Sequence, residues 1–128
     1  MIAAFNYGLQ YFQTLQFDRL KVSRKSIPTI VRSEDQAAVL PNGGITLTGS
    51  DSVGDIDLDF TGEPVIGNLV VITFNKPYKK IPYVILSNKT LDFITLAPTE
   101  IDENGFTIML VDGGNTEISL TYLCIESS

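Results

Sequence analysis

The sequence predicts an all-β protein: an antiparallel, jelly-roll-like β-sandwich carrying an N-terminal extended arm. Three observations lead there. Past residue 43 the chain is a series of short runs rich in Val, Ile, Thr, Phe and Tyr, separated by Gly, Pro, Asn and Asp. None of these runs holds a 3.6-residue apolar period long enough for the crossover helix that a parallel sheet requires. A length of 128 residues, with 44% apolar and 19% charged side chains, suits one buried core and not two.

The first 40 residues are the hardest to read. LQYFQTLQF alternates apolar and polar side chains at Leu9, Tyr11, Leu15 and Phe17, with Gln13 interrupting the run. Phe5, Leu9 and Phe12 would equally make a helical stripe, and extended structure is the preferred reading. SIPTIVRSEDQAAVLPN then reads as a connector broken by Pro28 and Pro41. The expected division is an arm over 1–40 and a sandwich over 41–128.

Within the sandwich, strands are expected at 45–48 (ITLT), 55–60 (DIDLDF), 68–75 (NLVVITFN), 82–87 (PYVILS), 93–97 (FITLA), 105–111 (GFTIMLV) and 116–125 (TEISLTYLCI). Turn chemistry separates them: PNGG at 41–44, TGEP at 61–64, Asn104-Gly105 and DGGN at 112–115.

The strand DIDLDF carries Asp55, Asp57 and Asp59 in alternation with Ile56, Leu58 and Phe60. Side chains of a strand alternate faces, so same-face carboxylates stand roughly 6.5–7 Å apart, too far to chelate one ion without outside help. The spacing also starts like an EF-hand loop, but Phe60 stands where that loop needs Gly, and Ile66 where it needs Glu. The three aspartates are therefore read as the wet side of a strand, with no metal expected.

Other strands lack a wet side. NLVVITF sets Leu69 and Val71 against Val70, Ile72 and Phe74. PYVILS sets Tyr83 and Ile85 against Val84 and Leu86, and GFTIMLV sets Met109 and Val111 against Phe106, Ile108 and Leu110. One face of each lines the core, and the other needs a cover. A second copy of the chain is the preferred cover, with Val71, Ile85, Met109 and Val111 at the interface; the arm folding back is the alternative.

Catalysis has little to work with. The sequence has no histidine, which removes Ser-His-Asp and Cys-His systems and nearly all zinc sites. Cys124 is the single cysteine, so no intrachain disulfide forms, and its place in ISLTYLCI reads as a buried thiol. No phosphate-binding glycine loop is present. A carboxylate pair drawn from Asp55, Asp57, Asp59, Glu100 and Asp102 is the one enzymatic arrangement left open, without positive support. No cofactor is expected.

No apolar run approaches the roughly 18 residues that span a bilayer. The opening MIAAFNYGLQYF lacks the basic flank and small-residue cleavage site of a signal peptide, so folding in a cytoplasm is expected. Charge is unevenly spread. Residues 1–32 hold Arg19, Lys21, Arg24, Lys25 and Arg32 against Asp18 alone, a net +4, while the remainder holds four lysines against fourteen acids, a net −10. The basic stretch is short and not interleaved with stacking aromatics, so nucleic acid is given little weight, an acidic protein surface is at least as good a target, and a plain solvated basic edge explains it as well as either.

The order of these pieces resembles a β-domain of tailed-bacteriophage head-fibre, capsid-decoration and tail-fibre proteins. The features that carry the resemblance begin with a Gly-x-Asp turn (Gly49, Asp51) and Gly54 opening a strand. An aliphatic strand follows, ending Thr73-Phe74-x-x-Pro77-Tyr78, then Pro82-x-Val84-x-Leu86, Gly105-Phe106-Thr107 and a closing strand with Tyr122. They cover residues 49–125. The resemblance implies a homotrimer that is a structural part of a virion, made in the bacterial host cytoplasm and attached to the major capsid protein or another virion protein through its N-terminal segment. Arg19, Lys21, Arg24, Lys25 and Arg32 would then be the anchoring residues. The alternative is a host-receptor or glycan-binding tip domain, with Tyr78, Lys79, Lys80 and Tyr83 of the KPYKKIPY loop as contacts; the bland reading of that loop is two prolines shaping a connection, with tyrosines capping the core.

Overall fold

The structure is a computed structural model that describes residues 25–90 and 92–126. Eight strands form two four-stranded antiparallel sheets packed face to face. They are β1 (Thr29–Arg32), β2 (Ile45–Gly49), β3 (Val53–Asp59), β4 (Gly67–Thr73), β5 (Tyr83–Asn88), β6 (Thr95–Thr99), β7 (Gly105–Asp112) and β8 (Glu117–Ile125). One sheet, here sheet A, runs β1-β4-β7-β6, and sheet B runs β2-β3-β8-β5. The all-β antiparallel sandwich expected from the sequence is the architecture observed, and all seven expected strands are present within two residues of their expected ends.

The eighth strand is the surprise. Thr29–Arg32 lies inside the stretch read as a connector, and it pairs antiparallel with β4 from Thr29↔Thr73 to Arg32↔Val70. Four residues between Pro28 and a 3-10 turn are too few to show a period, so neighbouring β4 and not local pattern makes this a strand. The following turn, Glu34–Gln36, is capped by Ser33, whose hydroxyl accepts from the Asp35 N–H. It delivers Gln36 and Leu40 to the interior, both fully buried.

The core lies between the sheets. Ile56 and Leu58 of β3, with Ile118, Leu120, Tyr122 and Cys124 of β8, face Val70 and Ile72 of β4 and Phe106, Ile108 and Leu110 of β7. Phe74, Tyr78, Phe106 and Tyr122 form a chain of rings with centroids 4.8–5.9 Å apart. At the centre, Gly54 pairs with Tyr122, and any Cβ at Gly54 would sit 2.6–2.7 Å from that ring. The glycine is what lets the tyrosine lie flat against β3. Its hydroxyl donates to the Ser50 carbonyl, and burial pushes its pKa above the ordinary tyrosine range.

Strict alternation holds in β3 and β8, is interrupted in β7, where Gly105 to Ile108 are all buried, and fails in β4. A bulge between Asn68 and Val70 puts both Leu69 and Val70 inside, so Leu69 does not share the outer face with Val71 as alternation predicts.

Candidate functional site

Where the sandwich presents chemistry is decided by its ends. The β3–β4, β5–β6 and β7–β8 connections cross between sheets at one end, and hydrogen bonds tie them together. The Phe60 N–H donates to the Thr116 carbonyl, joining the first to the third. Thr90 Oγ1 donates to the Ser119 carbonyl and accepts from the Ser119 N–H, and the Lys89 N–H also bonds that carbonyl, fixing the β5–β6 connection on β8. Buried Gln36 holds the β3–β4 connection: its Oε1 accepts from the Val65 N–H and its Nε2 donates to the Val65 and Asn68 carbonyls. A buried amide with all these partners is a rigid post, because any shift leaves polar atoms unpaired.

On that end the Phe93 ring is fully exposed. Next to it in the chain, Asp92 accepts from Asn115 Nδ2 at 2.6 Å. Gly113 has φ +83°, and a Cβ there would lie 2.7 Å from the Phe93 carbonyl, so glycine is required for the connections to meet. Glu63 places its carboxylate beside Gly114. One exposed apolar ring thus shares this end of the sandwich with the Asp92–Asn115 pair and with Glu63.

A shallow pocket of about 220 Å³ opens on the same end, on the outer side of sheet B. Its lining is polar: the Gly43–Gly44 backbone, Thr46, Asp57, Asp59, Glu117 and Ser119. Asp59 and Glu117 are register partners, two like charges opposite one another on neighbouring strands. Asp57 accepts from Ser119 Oγ at 2.6 Å, and Asp55 from Thr121 Oγ1 at 2.7 Å and Lys89 Nζ at 2.9 Å. The Lys89 and Thr121 hydrogen bonds hold the Asp55 carboxyl below the usual carboxylate range. Among the described residues no three acidic or thiol groups converge as metal ligands would. The three aspartates line the wet face of β3, with Ile56, Leu58 and Phe60 buried opposite them.

Residues 69–123 match the family model of the H-type lectin domain. The matched stretch runs from β4 into β8 and includes Asp92, Phe93, Gly113, Gly114 and Asn115, but not the β3–β4 connection that carries Glu63. The likeness is to a lectin domain, a binding module. No curated protein matches the chain, and no solved structure does.

The residues singled out in the sequence fall in several places. Tyr78 is a core residue, 3% exposed, packed edge-on against Phe74 with its hydroxyl donating to the Asp51 carbonyl, so it makes no surface contact. Lys79, Lys80 and Tyr83 are exposed and lie within the lectin-matched stretch too, but Tyr83 pairs with Ile125, at the opposite end of β8 from the Phe93 connection. The KPYKKIPY loop and the Phe93 end are therefore about 25 Å apart along the sheet. Val71, Met109 and Val111 lie on the outer face of sheet A, whereas Ile85 lies on the outer face of sheet B. These four do not form one surface. Glu100 and Asp102 sit at the β6–β7 turn of the other sheet from the three aspartates, where Glu100 accepts from Thr107 and Asp102 from the Asn104 and Gly105 N–H groups. Turn closure and not acid–base pairing explains them. Arg32 belongs to β1, its guanidinium donating to the Leu40 carbonyl at 3.0 Å, while Lys25 is exposed and Arg19, Lys21 and Arg24 lie outside the described residues.

Phe93 itself was legible only as a strand residue. The run FITLA reads as β from its first letter, yet β6 starts at Thr95, leaving Phe93 in the connection.

Proposed function

We propose that this chain is a carbohydrate-binding domain whose site is the end of the sandwich built from Phe93, Glu63, Asp92 and Asn115. A sugar ring has an apolar C–H face and a rim of hydroxyls. A fully exposed phenyl ring offers a platform to the face, and carboxylate and amide groups take up the rim. The lectin-domain match over residues 69–123 supports a binding role and contains every connection from β4 to β8. The observation that carries the choice of this end is the fully exposed Phe93 ring next to Asp92 and its partner Asn115. Binding of this kind uses shape and hydrogen bonds and no catalytic group.

Screening the purified chain on an array of glycans tests it, followed by titration of the best ligand against Phe93→Ala and Glu63→Gln. Phe93→Ala removes a stacking contact and should weaken binding by about tenfold or more, with thermal unfolding unchanged because the ring touches no core. A silent array, or full binding by Phe93→Ala, overturns the assignment.

A second reading, a capsid-decoration or head-fibre protein displayed on a virion as a homotrimer, is supported by the exposed apolar face of sheet A. Val31 and Val71, register partners 61% and 40% exposed, stand there with exposed Val111. In that setting the lectin-like end would face a host surface, and the basic residues before β1 would face the particle. Co-sedimentation with emptied capsids tests it, and its absence at low salt removes this reading.

A further inference from the structure

Charge is unevenly shared between the two ends of the sandwich, and the Phe93 end holds the acidic excess. Glu63 and Asp92 lie in the β3–β4 and β5–β6 connections, and Asp59, Asp112 and Glu117 sit on the strand ends that flank these connections. Asp59 and Glu117 are register partners on β3 and β8. Like charges placed opposite each other cost stability, and neither carboxylate joins an ion pair among the described residues.

The described cations are either held away from this end or already engaged. Lys25, Lys76, Lys79 and Lys80 belong to the opposite end, where they mingle with Glu100, Asp102 and Glu103. Arg32 stands on β1, at the other edge of sheet A from β6, three strand spacings or about 14 Å across. Its guanidinium donates to the Leu40 carbonyl. Lys89 is the one cation in the three connections, and its ammonium sits 2.9 Å from an Asp55 carboxylate oxygen. Asn115 spends an Nδ2 hydrogen on Asp92. An exposed ring and carboxylate oxygens remain, and a carboxylate accepts hydrogen bonds but donates none.

Resting on the glycan-binding reading above, we propose that this end selects saccharides by charge, preferring sugars with a free amine and rejecting those with a carboxylate or sulfate. An ammonium carries three donors and no acceptor, the complement of a group of carboxylates. The face of an aromatic ring attracts the same cation, so Phe93 and its acidic neighbours favour one ligand chemistry together. Binding it also relieves repulsion that the free chain carries between its own acids. A uronic or sulfated sugar brings acceptors to acceptors and adds to that repulsion. Neutral sugars bind through the ring and their hydroxyls, with neither the gain nor the penalty.

Titration of the full chain at about pH 6, where amines are protonated and carboxylates ionised, tests the proposal. The probes are glucosamine and galactosamine oligomers, their N-acetylated counterparts and the corresponding uronic acid oligomers. At low salt the amine form should bind about tenfold more tightly than the N-acetyl form, and the uronic form about tenfold more weakly. Salt at about 0.5 M should shrink both gaps while leaving the N-acetyl form nearly unchanged. Asp59→Asn combined with Glu117→Gln leaves Phe93, Asp92 and Glu63 in place, and should cut the amine preference about threefold without changing N-acetyl binding. Glu103→Gln, at the opposite end, should change neither. Equal affinity for the three forms, preference for the uronic form, or failure of the amine oligomers while other glycans bind overturns charge selection and leaves the glycan reading standing. Amine oligomers held by Phe93→Ala as tightly as by the parent overturn it too, because they show adsorption by net charge alone. An array on which no glycan of any charge binds ends both readings.

Discussion

Asp51→Ala should destabilise this sandwich more than any other single polar substitution among the described residues. Asp51 is fully buried in the turn between β2 and β3. Its Oδ2 accepts from Ser26 Oγ at 2.7 Å and the Lys76 N–H at 3.1 Å, and its Oδ1 from the Asn75 N–H at 2.9 Å. One carboxylate thus ties the start of the described chain and the connection after β4 to the β2–β3 turn. Hydrogen bonds to a charged acceptor contribute about 1.5–3 kcal/mol each, so three sum to about 4.5–9 kcal/mol. Ser26, Asn75 and Lys76 are themselves not buried, and their donors regain water when the carboxylate is removed. The net cost is accordingly smaller, about 3–5 kcal/mol. With a urea slope of about 2 kcal/mol/M, the unfolding midpoint should fall by about 2 M. Asp51→Asn keeps the shape and one acceptor and should lose about half as much. Equilibrium urea unfolding measures both, with Asp57→Asn as the surface control. A loss below about 1 kcal/mol for Asp51→Ala, or one equal to the control, refutes the argument that this turn depends on its carboxylate.

Further outcomes follow from the same coordinates. Gly54→Ala drives a methyl group into the Tyr122 ring and should cost about 1–3 kcal/mol in urea unfolding, a loss that shrinks when Tyr122 is also replaced by Leu; additive losses would mean the two do not meet. The Lys89–Asp55 pair predicts a pH signature. Asp55 titrates below its usual value, near 3.8, so its contribution is present above that value and is lost as pH falls through the lower folded pKa. Lys89 titrates above its usual 10.5, so its contribution is lost only as pH rises through that higher value. The parent should therefore exceed Lys89→Met in stability at about pH 7, with the gap closing as pH falls below the ordinary Asp value of 3.8 and through the lowered folded pKa; a gap that persists once Asp55 is protonated contradicts the pairing. Val71→Glu should leave the unfolding of the dilute chain within about 0.5 kcal/mol while abolishing any species near three times 14.0 kDa in sedimentation. A trimer that survives the substitution shows that the outer face of sheet A is not what holds it.

What the sequence determined by itself was the class of fold and the inside and outside of most strands. Period-two alternation is local, so Ile56, Leu58 and Phe60 declare one face and Asp55, Asp57 and Asp59 the other without reference to any neighbour. Turn residues such as Asn104-Gly105 and Gly113-Gly114 likewise mark ends by their own backbone preferences. Tertiary structure alone decided the rest. Thr29–Arg32 becomes a strand because β4 offers an unpaired edge, and Leu69 turns inward because a bulge shifts its register. Tyr78 sinks into the core because Phe74 and Asp51 meet it there. The candidate site is of this second kind. Glu63, Asp92, Phe93 and Asn115 are up to 52 residues apart in the chain, and they share one end because three connections cross between the sheets at the same place. No local pattern carries that information, since it is the pairing of distant strands that fixes which loops become neighbours.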